Sequence, residues 1–131
     1  MPGTLNPPRP AAAVAGEEHA LYVCVWDHIA RTLAWLDAVN GRGPHETAVR
    51  VMKIAEETGE AVAACIGMTG QNPRKGVTAG TDDLAGELCD VVLSVLVALA
   101  TVTGGTPQAE SRLTRHVAAR AVRLRALRAA E

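Results

Sequence analysis

The chain has no phenylalanine, one tyrosine and two tryptophans in 131 residues. A core so poor in aromatics must be assembled from Val, Leu, Ile and Ala, which favours close-packed helices over an aromatic-rich sheet. Lysine occurs only at Lys53 and Lys75 and the formal net charge is -1, so no general attraction to nucleic acid or to a membrane surface is expected. Cys24, Cys65 and Cys89 form no CxxC pair, and their odd number does not suit a disulfide framework. Set in apolar periodic segments, they read as buried, reduced thiols of a cytoplasmic protein. There is no P-loop and no GxSxG elbow, and His19, His28, His45 and His116 lack metal-ligand spacing. Residues 1–16 are rich in Pro and Ala without the basic start and apolar run of a signal peptide. They read as a disordered arm ahead of a single domain over residues 17–131. The most apolar stretch, residues 91–102, is short for a bilayer span and follows two acids, so no membrane partner is expected.

What is present is helical periodicity. Tyr22, Val25, Trp26, Ile29, Leu33 and Leu36 predict a first helix over residues 17–39, ended by Asn40-Gly41 and Gly43. Pro44 suits the first turn of a second helix reaching about residue 66, with Ala48, Val51, Ala55, Val62 and Ile66 as its apolar stripe. Gly67 and Gly70 offer stops, and residues 69–80 read as a loop. Thr81 is placed to cap a third helix running to about residue 103, apolar nearly all round after Asp90 and therefore expected to be buried on most sides. After Gly104-Gly105, Thr106-Pro107 reads as cap and first residue of a fourth helix with Leu113, Val117, Leu124 and Leu127 on one stripe. The expected class is all-α, a four-helix bundle with antiparallel neighbours. A domain of this size buries only a modest core, so self-association would help it.

Five acids carry the functional reading. Glu56, Glu57 and Glu60 lie in one helical run, with Glu60 and Glu57 about 40° and 100° round the wheel from Glu56. Lys53 falls within the same arc. Glu87 and Asp90, three apart, share a face of the third helix. Like charges at such spacings repel by about 0.2–0.5 kcal/mol per pair even when exposed, and burial raises that cost. One lysine neutralises one charge at most. Two such faces turned toward each other make an oxygen-lined pocket for a hard divalent cation, magnesium or manganese, and so for phosphate chemistry. A solvated acidic helix face is the plain alternative, weaker for Glu87 and Asp90, whose helix has almost no polar side.

The order Glu56-Glu57-Thr58-Gly59-Glu60, a spacer over residues 61–86, then Glu87-Leu88-Cys89-Asp90 resembles the signature of the MazG-like, all-α nucleoside triphosphate pyrophosphohydrolases. The run from Gly70 to Val77 resembles that of a small actinobacterial MazG-like branch, and the likeness covers roughly residues 26–99. The resemblance implies a four-helix fold, dimeric or tetrameric. It implies magnesium-dependent cleavage of a nucleoside triphosphate between the α and β phosphates, giving a nucleoside monophosphate and pyrophosphate. Many relatives clear non-standard or surplus nucleotides. It implies metal-holding roles for Glu57, Glu60, Glu87 and Asp90, and leaves Glu56 or Glu57 as the group that polarises the attacking water.

In that reading Lys53 neutralises triphosphate charge, and Arg74 and Lys75 close over the β and γ phosphates from a glycine-flanked loop, unless that loop is simply an exposed turn. Trp26 belongs to the core stripe. Trp35 lies off it, on the side of His28 and Arg31, available to a nucleobase or to core or subunit-interface packing. Six arginines between Arg112 and Arg128 have no acid among them. They suit the solvated face of an oligomer's helix, and less well a nucleic-acid surface. The rival functions are a non-catalytic, nucleotide-binding or regulatory oligomer of the same fold, and a nucleic-acid-binding bundle that uses the last helix.

Overall fold

The computed structural model describes the backbone of residues 11–130 and the side chains of residues 25–130. The described residues form four helices and no strand: α1 (Ala11–Asn40), α2 (Pro44–Thr69), α3 (Thr81–Thr103) and α4 (Thr106–Ala129). The first helix starts ahead of the expected residue 17, because Ala11-Ala12-Ala13 is the best of helix formers. Residues 1–10 of the expected arm, and the side chains of Tyr22 and Cys24, lie outside what is described. Pro44 stands in the first turn of α2, where its missing N–H costs nothing.

Helices α2 and α3 form an antiparallel pair. At one end the Arg50 guanidinium donates to Thr101 Oγ1 at 3.2 Å; midway Glu57 meets Glu87 and Asp90. At the other end the backbone folds onto Gly67, whose carbonyl accepts from the Thr78 N–H. A Cβ on Gly67 would lie 2.6 Å from Thr78 Oγ1 and 3.2 Å from Ala79 Cβ, so a larger residue there would displace the loop side chains packed on it. Gly70 closes α2 and Gly104 closes α3, each at positive φ. Both N-terminal caps differ from the expected threonines. Gly80 and Gly105 hold the cap positions, and the Asp83 carboxylate accepts from the Gly80 N–H at 2.7 Å.

The core joins α1, α3 and the first turn of α4: Trp26, Ile29, Leu96, Ala100 and Ala109, flanked by Val25, Leu33, Leu93, Val97 and Leu99. Ile29 is completely buried, a contribution of about 1.5–3 kcal/mol.

Two apolar expectations are corrected, and the stripe of the last helix finds no cover within the chain. The stripe expected to bury α2 (Ala48, Val51, Ala55, Val62, Ile66) is exposed, and the side of α2 that packs inward carries Arg50, Ile54, Glu57 and Ala61 instead. Helix α3 is not enclosed, since Leu88, Val92, Val95 and Val102 face outward. Every residue of α4 from 111 onward is exposed, Leu113, Val117, Leu124 and Leu127 included. The physical reason is shared: one chain offers each helix fewer neighbours than its apolar positions can occupy. Cys65 and Cys89 are accordingly exposed free thiols, not buried ones. The full span of α3, 23 residues, is also long and apolar enough by length and composition to cross a membrane, which residues 91–102 alone are not.

Candidate functional site

Antiparallel packing of α2 on α3 brings the two acidic runs together. One carboxylate oxygen from each of Glu57, Glu87 and Asp90 lies within 4.8 Å of the others. Glu57 comes from the inward row of α2, and Glu87 and Asp90 from one turn of α3. The Glu57 side chain is only 12 % exposed, whereas neighbouring Glu56 is 60 % exposed and lies outside the group of three.

Lys53, one turn earlier on α2, reaches both. Its ammonium lies 2.8 Å from Glu57 Oε1 and 2.7 Å from Glu56 Oε2. Those two hydrogen-bonded carboxylates, Glu56 first, raise the lysine's pKa, so it is a fixed cation at the cluster's edge. Glu60 stands outside the group of three but feels it. The negative charges of Glu57 and then Glu87 push its carboxyl above the ordinary carboxylate range.

Beside the acids opens a cleft of about 310 Å³ between α1, α2 and α3. Lys53 on α2 and Ser94, one turn beyond Asp90 on α3, mark its acid-side end. Ile29, Leu36, Val49, Leu93 and Val97 supply apolar walls, and Trp35, 63 % exposed, stands on its rim with His28. Asn40, Glu46 and Arg50 line it as well.

Arg50, with Asp37, Glu46 and Thr101, forms a second polar cluster that no motif in the sequence marks. Arg50 is 5 % exposed. Its Nη1 donates to Asp37 Oδ1 at 2.9 Å and its Nε to Glu46 Oε1 at 2.9 Å. Its Nη2 donates to the Gly41 carbonyl at 3.3 Å. The fork therefore ties the end of α1, the α1–α2 turn, the start of α2 and the end of α3 together. Arg42 adds a second cation to Asp37 at 2.7 Å. The hydrogen bonds from Arg50 and then Asn40 hold the Glu46 carboxyl below its ordinary range. The signal in the sequence was Glu46 four residues before Arg50, a helical ion-pair spacing. Nothing local announced that Asp37 would join them.

The structure does not bring Arg74 and Lys75 to the acids. Both are exposed on the α2–α3 loop, and among the described residues neither forms an ion pair. Lys75 lines a small pocket with Gly67, Gln71 and Thr78, and Asn72 shapes the loop by accepting from the Arg74 N–H through Oδ1. Gly67 lies about 10 Å along α2 from Glu60 at the usual helical rise. The arginines of α4 are exposed. No protein-family model, no curated protein and no solved structure matches this chain.

Proposed function

We propose that this chain is a magnesium-dependent nucleoside triphosphate pyrophosphohydrolase of the MazG-like all-α type, with a role in clearing nucleotides from the cytoplasmic pool. The observation that carries the reading is the convergence of Glu57, Glu87 and Asp90 within 4.8 Å, from facing helices, next to a cleft of nucleoside size whose near end is lined by Lys53 and Ser94. The donor set fits a hard dication: it is all oxygen, and it gathers more negative charge than Lys53 can offset. Glu57, Glu87 and Asp90 would hold magnesium or manganese, with Glu60 near enough to share its field. When bound, the ion supplies positive charge to triphosphate oxygens and to water.

The chain's own residues do the rest. Lys53 bonds Glu56 and Glu57 while the site holds no triphosphate, and the greater negative charge of a triphosphate competes for its ammonium. Moving Lys53 onto the phosphates frees a Glu57 oxygen for the ion and releases Glu56 or Glu57 to take a proton from the attacking water. Water then adds at the α phosphorus, the bond to the α–β bridging oxygen breaks, and pyrophosphate leaves with that oxygen. The cleft takes the nucleoside, with Trp35 free to stack on the base.

The exposed apolar rows of α2, α3 and α4 support a homodimer or homotetramer, in which copies of the chain cover one another and complete the four-helix bundle. Those rows and the two acids at the start of α3 favour a soluble, cytoplasmic assembly over a membrane span. A span by α3 would carry Glu87 and Asp90 into lipid, where carboxylates are costly.

The test is pyrophosphate release over standard and modified triphosphates with magnesium, for the wild type and for Glu57→Gln, Glu87→Gln and Asp90→Asn. The reading requires release by the wild type and a loss of at least about 100-fold in each variant, the scale of removing a catalytic group. Release that survives these changes, or its absence with every triphosphate, overturns it.

A further inference from the structure

We propose that Glu46 selects the nucleobase, favouring bases that present an exocyclic amino group over those that present a carbonyl oxygen at the same place. This rests on the nucleotide reading of the cleft and goes on to the chemistry of its far end. Glu46 lines that cleft with Asn40 and Arg50, and its side chain is 11 % exposed. Both of its hydrogen bonds, from Arg50 Nε at 2.9 Å and Asn40 Nδ2 at 3.2 Å, fall on Oε1. Oε2 receives none of the described bonds. Since no buried side-chain oxygen among the described residues is left without a partner, Oε2 is an accessible acceptor. The pairing with Arg50 keeps the carboxyl ionised, so it accepts and does not donate.

Placement agrees with this. Glu46 precedes Lys53 by two helical turns, about 10 Å along α2, the scale of one nucleoside. A triphosphate held at the acids therefore lays its base toward Glu46, with Trp35 on the rim. There Oε2 accepts a hydrogen bond from an amino group. A carbonyl oxygen in the same place meets a negative oxygen, with no proton between them. Cytosine and uracil share size and shape but differ both at this position and at the adjacent N3, acceptor against N–H donor, so the comparison with Glu46→Gln is what isolates the contact.

The test compares kcat/KM for CTP and UTP, and for their deoxy forms, in the wild type and in Glu46→Gln. It also compares metal-free binding of the cytosine and uracil nucleoside monophosphates by calorimetry. Gln keeps an oxygen for Arg50 but can turn its NH2 toward the base, exchanging acceptor for donor. The expected wild-type preference for cytosine is roughly ten- to a hundredfold, the range of a hydrogen bond to a charged group, and it vanishes or reverses in Glu46→Gln. Equal handling of the two bases by the wild type, or a cytosine preference that survives Glu46→Gln, overturns the proposal. If no triphosphate is cleaved but the monophosphate preference depends on Glu46, the hydrolase reading falls and the selection stands. If neither base binds, selection falls. Should Glu46→Gln lose its helical circular dichroism, Glu46→Asp, which keeps the charge but withdraws it by one methylene, carries the same comparison.

Discussion

Lys53 Nζ sits 2.8 Å from Oε1 of Glu57, the same residue whose carboxylate meets Glu87 and Asp90. A monovalent ammonium thus occupies the flank of a cluster of three acids, and a dication bound there would compete with it for Glu57.

Magnesium or manganese should therefore raise Tm in a concentration-dependent way, by the mass-action stabilisation of any native-state ligand, about 2.7 kcal/mol at a hundred times Kd. Asp90→Asn and Glu87→Gln should lose that increment. Lys53→Met should lower Tm without metal and enlarge the metal-induced rise. A thermal melt series with and without chelator checks all three, and a metal response unchanged in Asp90→Asn would remove the site.

The acids also set opposite pH dependences. Glu46 has a folded pKa below its unfolded value, near 4.3, so the stability it contributes is present above that value and is lost as pH falls through the folded one. Glu60 is raised, so its charged form costs stability above its folded pKa, and the cost is relieved as pH falls through it. In metal-free buffer Glu60→Gln should raise Tm at pH 7, with the gain shrinking toward pH 4. Glu46→Gln should lower Tm at pH 7 and flatten the fall below about pH 4. Melts across this range read both signs.

Arg50→Met should cost more than losing a surface ion pair, over about 1 kcal/mol, because Glu46 loses its cation while Asp37 keeps only Arg42. Arg50→Lys should recover only part of it, since an ammonium cannot reproduce the four-way fork. Urea unfolding measures the difference. A change under about 1 kcal/mol for Arg50→Met would place this pair with surface ion pairs.

Val62→Glu on α2 and Val92→Glu on α3, both at exposed apolar positions, should shift the sedimenting mass from dimer or tetramer to monomer, because an unpaired charge is costly in a covered interface. A wild type that already sediments as a monomer at micromolar concentration would contradict the oligomeric assembly.

The helix order was legible because apolar periodicity, Pro44 and the glycines at 41, 43, 70, 104 and 105 are local signals. The acid runs were legible too, as spacing on two helices. Which side of α2 faces inward was not. An apolar stripe at Val51, Ala55 and Val62 outweighs Arg50 and Glu57 on any count of hydrophobicity. Inside one chain, however, it is Arg50 and Glu57 that turn toward α3.

By itself the sequence determined four helices and two acidic turns, because turn chemistry and periodicity act over a few residues and need no partner. Tertiary structure alone decided that Glu57, and not Glu56 or Glu60, closes on Glu87 and Asp90, and that Asp37, Glu46 and Thr101 share one guanidinium. Those outcomes depend on how one helix is rotated against another. A difference of one residue along α2, about 100° of turn, is enough to send a carboxylate to the acids of α3 or to water.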